Sequence, residues 1–361
     1  MRAARSMATV GLTVLLAACF LPSFDMVDGG TGGGGGTGGG EDACSARWPA
    51  PVPGTSSDTD NIVISLAVRT FDIGEQDVAT APGFDLDRSC TCCSSCPAAQ
   101  TCTPPAEALC DGAAGRDNAV AHFLSQLQAA VASPVTSPGL QAEIDAGRWT
   151  ILTRVTGYNG QLNDDNVVVM FYGTSALAAP PQWTGQDAWT MRADYLPLAS
   201  TNPDEALVRS DLAYVSDGVL VSTFGASQPL RLSLSGGLDL WLTSAIFSGR
   251  LEPYGGSYRL VGGTMGGLWT MPDVFRSLAE LDAAGMPLVC RGDPLYEDTL
   301  KPILCGLRDG RPGFDSPSPC DSISFGTAFT SEPVVISGVS PPPAAGVPCA
   351  PGFEPTGDTC P

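Results

Sequence analysis

Three loops of this sequence concentrate the side-chain oxygens that hard cations bind. Two of the loops flank a run of cysteines, whose disulfides are expected to bring these two loops together, and the third leads into the apolar segment 167–172. Their candidate ligands are Asp85, Asp87, Asp111, Asp117, Asn118, Asp164 and Asp165. Ca²⁺ takes six to eight oxygen ligands from carboxylates, amides and carbonyls, so the pattern predicts a structural calcium site. The alternative is that these residues make turns and cap a helix.

Residues that could act in catalysis are few. His122 is the only histidine and Lys301 the only lysine, and the helical period places His122 on a polar surface. GxSxG, HExxH and Walker motifs are absent from the sequence, which excludes serine-elbow hydrolases, zincins and P-loop enzymes. No catalytic residue is assigned. Because 38 acidic residues are present, the sequence does not exclude a glycosidase that uses a pair of carboxylates.

Tryptophans give a second binding hypothesis. Trp183 and Trp189 occur in PPQWTGQDAWTM, and Trp241 lies on a predicted strand; if exposed, these indole rings could stack on sugar rings. The alternative for each of them is ordinary core filling.

The N-terminus carries an export signal. Arg2 and Arg5 precede an apolar run too short to span a membrane, and the sequence Leu-Ala-Ala-Cys ends at Cys19. These residues resemble the lipobox of bacterial lipoproteins. The resemblance implies a signal peptide over 1–18, lipidation of Cys19 and attachment to a membrane. Phe20, in place of the aspartate that retains many lipoproteins at the inner membrane, favours the outer membrane, on its periplasmic face or at the cell surface.

A flexible tether follows over 19–43, since residues 29–40 are almost entirely glycine. Thirteen cysteines less Cys19 leave twelve, an even number that predicts up to six disulfides in an exported protein. The candidates are Cys44, Cys90, Cys92, Cys93, Cys96, Cys102, Cys110, Cys290, Cys305, Cys320, Cys349 and Cys360. A metal–thiolate cluster is the alternative for the crowded group 90–110.

Two pairings are expected. Cys290, Cys305 and Cys320 cannot pair only among themselves, so Cys44 or a member of the crowded group should reach one of them. The last two cysteines, in CAPGFEPTGDTC, are expected to close a small loop within a proline-rich tail over 339–361.

Composition limits the partners. The formal net charge is −20, so nucleic acid and anionic lipid are repelled. The hydrophobic fraction is 43% and the charged fraction only 16%, which indicates a folded protein.

Short strands dominate the predicted fold. Residues 62–69, 230–235 and 238–242 alternate apolar and polar side chains, and 151–155, 167–172, 219–224, 246–251 and 258–261 are further candidates. The pattern predicts a mainly β domain over 44–338, an antiparallel β-sandwich or jelly roll with a few short helices and a cysteine-rich insertion over 89–111. Helices are expected near 120–131, 270–285 and 296–307, and the glycines of GGTMGG, at 262–267, indicate closely crossing strands.

Several motifs recur together. GFDLDR, the cysteine run, DGAAGRDNAVAHFL, NDDNVVV and GGTMGG look like those of a functionally uncharacterised family of secreted lipoproteins from myxobacteria-like Gram-negatives. The similarity covers roughly residues 60–330. It implies a location in the cell envelope and a β-rich fold, but it implies no activity.

Three hypotheses follow. The first is a lipid-anchored, non-enzymatic module that binds a cell-surface polysaccharide or an envelope protein, with structural calcium. The second is a carbohydrate-active enzyme with paired carboxylates, and the third is a purely architectural envelope protein.

Overall fold

The computed structural model describes residues 49, 51–54, 61–87, 102–105, 109–130, 135–235, 237–283, 286–287, 289–312, 318–343 and 347–361. The predicted signal peptide and tether, and most of the cysteine-rich insertion, lie outside these residues.

Strands account for 41% of the residues and helices for 17%, which confirms the mainly β prediction. They are β1 Ile62–Asp72, β2 Ile151–Tyr158, β3 Asp164–Gly173, β4 Ala188–Arg192, β5 Arg209–Ser216, β6 Val219–Phe224, β7 Leu230–Ser233, β8 Asp239–Tyr254, β9 Ser257–Thr270, β10 Asp282–Ala283, β11 Met286–Pro287, β12 Ser322–Pro333 and β13 Val335–Ser340.

Eight of these strands close into an antiparallel barrel in the order β6-β5-β3-β2-β1-β12-β9-β8, because β6 also pairs with β8. The prediction of a sandwich or jelly roll is therefore wrong. Closure depends on β8, which pairs with β7 through Leu242 and then with β6 from Ala245 onward. Ser244 has a φ of 49° at this switch, and the register of β8 on β9 also shifts there. Such a bulge bends a strand, so β8 can leave one neighbour and close on another.

Aromatic rings occupy the core of the barrel. Phe171 packs edge-on against Phe224 and Phe247, with ring centroids 5.6 Å and 5.0 Å away, and Phe329 stacks on Phe247 at 4.9 Å. Gly263 makes room for this stack, because a Cβ there would lie 2.5 Å from the Phe329 ring. Close crossing at GGTMGG, as the sequence predicted, is confirmed.

Four α-helices lie outside the barrel in the described chain: α1 Ala119–Ala130, α2 Ser137–Asp145, α3 Met271–Ala279 and α4 Lys301–Gly306. The predictions near 120–131 and 270–285 are confirmed, although α3 ends earlier than expected. A π-helical turn, Leu295–Leu300, leads directly into α4, which carries Pro302 in its first turn, so the helix predicted near 296–307 is present. Helix α2 was not predicted, because its SPG start resembles a loop; Thr136 caps it by accepting from the Gly139 N–H.

Three disulfides are described, Cys102–Cys320, Cys290–Cys349 and Cys305–Cys360, and Cys110 is also disulfide-bonded. The first confirms that a cysteine of the crowded group reaches the later ones. The other two show that the predicted Cys349–Cys360 loop is wrong: each of its cysteines bonds outward to the segment that carries α4.

The C-terminal tail is consequently fastened to the body of the protein. Lys301 Nζ lies 2.8 Å from the Asp358 carboxylate, which also accepts from the Tyr296 hydroxyl at 2.8 Å. The Arg291 N–H donates to the Phe353 carbonyl at 2.7 Å. Two covalent bridges and these contacts hold residues 347–361, in which the structure describes no strand or helix.

Candidate functional site

Two loops that flank the cysteine-rich insertion meet beside the barrel. The Asp117 N–H donates to the Phe84 carbonyl at 2.9 Å, which forms an isolated β-bridge between them. Carboxylate oxygens of Asp85, Asp87 and Asp117 all lie within 4.8 Å of one another. All three residues are buried. The sequence prediction that the two patches come together is thus confirmed for these carboxylates.

Asp117 also orders the loop that carries its neighbours. Its Oδ2 accepts from the backbone N–H of Leu86 at 2.6 Å and of Asp87 at 3.3 Å. A carboxylate that accepts two backbone hydrogen bonds fixes the path of the chain around it.

Asn118 holds both loops to the barrel. Its Nδ2 donates to the carbonyls of Ile73, Pro82 and Gly326 at 2.8 Å, 2.8 Å and 3.0 Å. Its Oδ1 accepts from the N–H groups of Gly326 at 3.1 Å and Ala121 at 3.2 Å. Since these bonds use every polar atom of the side chain, Asn118 is a structural anchor, and its predicted role as a calcium ligand is corrected.

Gly326 permits this close approach of the loop to β12. A Cβ at this position would lie 2.1 Å from the Pro82 carbonyl oxygen, far inside any allowed contact. The loop over 82–87 can therefore lie on the strand only because the residue beneath it has no side chain.

A fourth carboxylate, which is half-buried, comes to the pocket from a distant part of the chain. Asp309 lines the same pocket as Asp111 and Asp117. Its carboxylate accepts from the Ser324 N–H at 2.8 Å and from the Ser324 hydroxyl. Sequence reasoning did not select Asp309, because the sequence Asp-Gly-Arg-Pro that begins there is typical of a turn.

Mutual repulsion and burial perturb these acids. Burial raises the pKa of Asp117 well above its ordinary value, and the charges of Asp87, Asp309 and Asp111 raise it further. Burial raises the pKa of Asp309 to about 7, with a smaller contribution from Asp87, against the hydrogen bonds from Ser324. Such a group of acids is stabilised by protons or by a cation that offsets the shared charge.

The pocket also contains the single histidine. His122 is half-buried and lines the pocket together with Asp111, Asp117 and Asp309. Burial lowers the pKa of His122, which favours the neutral imidazole.

The third predicted loop is not part of the carboxylate group. Asp164 is completely buried at the start of β3, where its two oxygens accept from the backbone N–H groups of Asn159 at 2.8 Å and Asn166 at 2.9 Å. Neither Asp164 nor Asp165 belongs to the described group of carboxylates that could hold a metal ion. Asp164 orders a turn, as in the alternative that the sequence left open.

The three tryptophans differ in exposure. Trp189 is completely buried in β4, beside β13, which corrects its predicted role as a sugar-stacking residue. Trp241 is half-buried, with the guanidinium groups of Arg231 and Arg276 5.1 Å and 4.3 Å from its ring. Trp183 is half-buried at the surface.

A comparison of the chain with protein-family models, curated proteins and solved structures finds no match. The resemblance to a family of secreted lipoproteins therefore stays a prediction. Among the described residues, no helix is both long and apolar enough to cross a membrane.

Proposed function

We propose that this chain is a lipid-anchored envelope protein whose barrel is a non-enzymatic binding or structural module, braced by disulfides and by a structural calcium ion. The observation that carries the calcium assignment is the convergence of Asp85, Asp87 and Asp117, with carboxylate oxygens within 4.8 Å. Asp111 and Asp309 line the adjoining pocket and add carboxylates. Hard oxygen donors from separate loops are the ligand set that Ca²⁺ prefers.

A carbohydrate-active enzyme is supported less well. Asp85, Asp87 and Asp117 are each less than 10% exposed, at 6%, 8% and 6%, so a glycosidic oxygen has little access to them. The described residues that line the pocket include no tryptophan that could hold a sugar ring. Paired-carboxylate hydrolysis needs both access and room for the substrate between the acids.

Calcium should raise the melting temperature of the purified full-length protein. At a Ca²⁺ concentration of ~100 times Kd, binding to the folded state alone adds about 2.7 kcal/mol, or roughly 5 °C for a domain of this size. Differential scanning fluorimetry with CaCl₂ and with EGTA measures the shift. Asp117→Asn should abolish most of it, whereas Asp298→Asn, at an exposed position outside the pocket, should leave it unchanged.

Protons should compete with the cation. Because burial raises the pKa of Asp309 to about 7, this carboxyl is largely protonated at pH 5.5 and largely ionised at pH 8.5. The calcium-dependent shift should therefore be smaller at pH 5.5 than at pH 8.5. A wild-type melting temperature that is equal in CaCl₂ and EGTA at pH 8.5 contradicts the calcium assignment.

Membrane attachment is proposed from Cys19 alone. Cys19→Ser should move the protein from the membrane fraction to the soluble fraction of a Gram-negative host, and the wild type should carry an acyl-dependent mass that the variant lacks. Equal membrane association of the two proteins would remove the anchor from the proposal while leaving the calcium result intact.

A further inference from the structure

We propose that the outer face of four neighbouring barrel strands binds a neutral polysaccharide chain. The site consists of Tyr254, Arg259, Glu332, Arg69 and Trp183, which we term the aromatic–charged row. It rests on the proposed function of the barrel as a binding module and names the class of ligand.

The row is continuous across the strands. Arg259, on β9, stacks on Tyr254 of β8 at 5.0 Å and pairs with Glu252 at 2.9 Å. Glu332, on β12, is next to Arg259 in the antiparallel register, because Ser331 pairs with Leu260, and it pairs with Arg69 of β1 at 3.1 Å. The Arg69 guanidinium in turn lies 5.9 Å from the centre of the Trp183 ring.

The dimensions suit an extended chain. β8, β9, β12 and β1 are consecutive neighbours in the sheet, so their three gaps span about 14 Å. Aromatic side chains lie at both ends of the row, and Tyr254 is 38% exposed. Pyranose rings present C–H faces that pack on aromatic rings, and their hydroxyl groups hydrogen-bond to charged side chains between such contacts.

Glu332 has unused hydrogen-bonding capacity. The residue is 5% exposed, and its Oε2 has no partner among the described residues, whereas Oε1 is bound by Arg69. A buried carboxylate oxygen without a donor is unfavourable. The Arg69 side chain is 47% exposed, and a shift of this long side chain would admit a ligand hydroxyl to Oε2.

The loop beside β1 holds Trp183 in a backbone conformation that bulky residues rarely adopt. Its φ is 55°, and the Asp187 carboxylate accepts from the N–H groups of Gln182 at 2.8 Å and Trp183 at 2.7 Å. Unfavourable backbone geometry that is fixed by its surroundings is concentrated at binding and catalytic sites. Here it places a half-buried indole beside Arg69.

Charge selects the kind of polymer. Glu332 within the row and Glu252 beside it balance Arg69 and Arg259, so the surface at the row is close to neutral, while the whole chain carries −20. Acidic polysaccharides are therefore repelled, and neutral ones are favoured.

Affinity gel electrophoresis tests the inference. The purified full-length protein is run in native gels that contain hydroxyethyl cellulose, xyloglucan, galactomannan or alginate. We expect retardation by at least one of the neutral polymers and none by alginate. Trp183→Ala and Tyr254→Ala should each weaken the apparent affinity about tenfold, because each removes one stacking contact. Phe353→Ala changes an aromatic residue that is 52% exposed and outside the row, and should have no effect.

Two results overturn the inference: no retardation by any of the neutral polymers, or retardation that both row variants leave unchanged. Near-equal melting temperatures of the variants and the wild type establish that a loss of binding is not a loss of folding. The calcium-dependent melting shift is measured on the same proteins, so failure of the calcium assignment is distinguished from failure of the polysaccharide site.

Discussion

Asn118→Ala is expected to lower the free energy of unfolding by about 3–5 kcal/mol. The substitution removes five hydrogen bonds at a residue that is 6% exposed. It leaves buried carbonyls of Ile73, Pro82 and Gly326 without their donor, and each such group costs about 1–3 kcal/mol when no water replaces the bond. Urea denaturation followed by tryptophan fluorescence measures the loss.

An exposed asparagine provides the matched control. Asn166→Ala changes a side chain outside this network and should stay within about 0.5 kcal/mol of the wild type. Asn118→Ala should also reduce the calcium-dependent melting shift, because the loop that carries Asp85 and Asp87 is held to β12 through the Pro82 carbonyl. A loss below about 1 kcal/mol would show that Asn118 is not the anchor of these loops.

The second large effect is expected for the Cys102–Cys320 bridge, whose cysteines are separated by 218 residues. Cross-linking residues this far apart restricts the unfolded chain strongly, and its loss costs about 2–5 kcal/mol. The double variant Cys102→Ser/Cys320→Ser should therefore melt well below the wild type under oxidising conditions. Thermal denaturation followed by circular dichroism provides the measurement.

A second disulfide serves for comparison. Cys305 and Cys360 are separated by 55 residues and fasten only the tail, so removing both should lower stability less. The two double variants should also differ in calcium response. Cys102 Sγ lies 3.7 Å from the Asp309 carbonyl oxygen, so only loss of the first bridge should weaken the calcium-dependent melting shift. Equal behaviour of both variants would refute a specific role for Cys102–Cys320.

The sequence determined those features that depend on neighbouring residues. Period-two alternation located β1 and β8, and one apolar face located α1, because these patterns show which side of a segment must be buried. The residues before Cys19 predict export for the same local reason. Asp85 and Asp117 were predicted to meet because disulfides of the cysteine run between them would bring their loops together, and they do meet.

Only the tertiary structure decided which distant segments meet. Alternation shows that one face of a strand is buried. It does not show whether that face is covered by a second sheet or by the far side of the same sheet. Closure of the barrel through β6 and β8 was therefore not predictable. Cysteine spacing likewise left the bonds of Cys349 and Cys360 undetermined. Asp309 lies in the pocket beside Asp117, whereas Asp164 is not part of the carboxylate group. The folded path of the chain determines which charged residues are neighbours, and the local sequence pattern does not show that path.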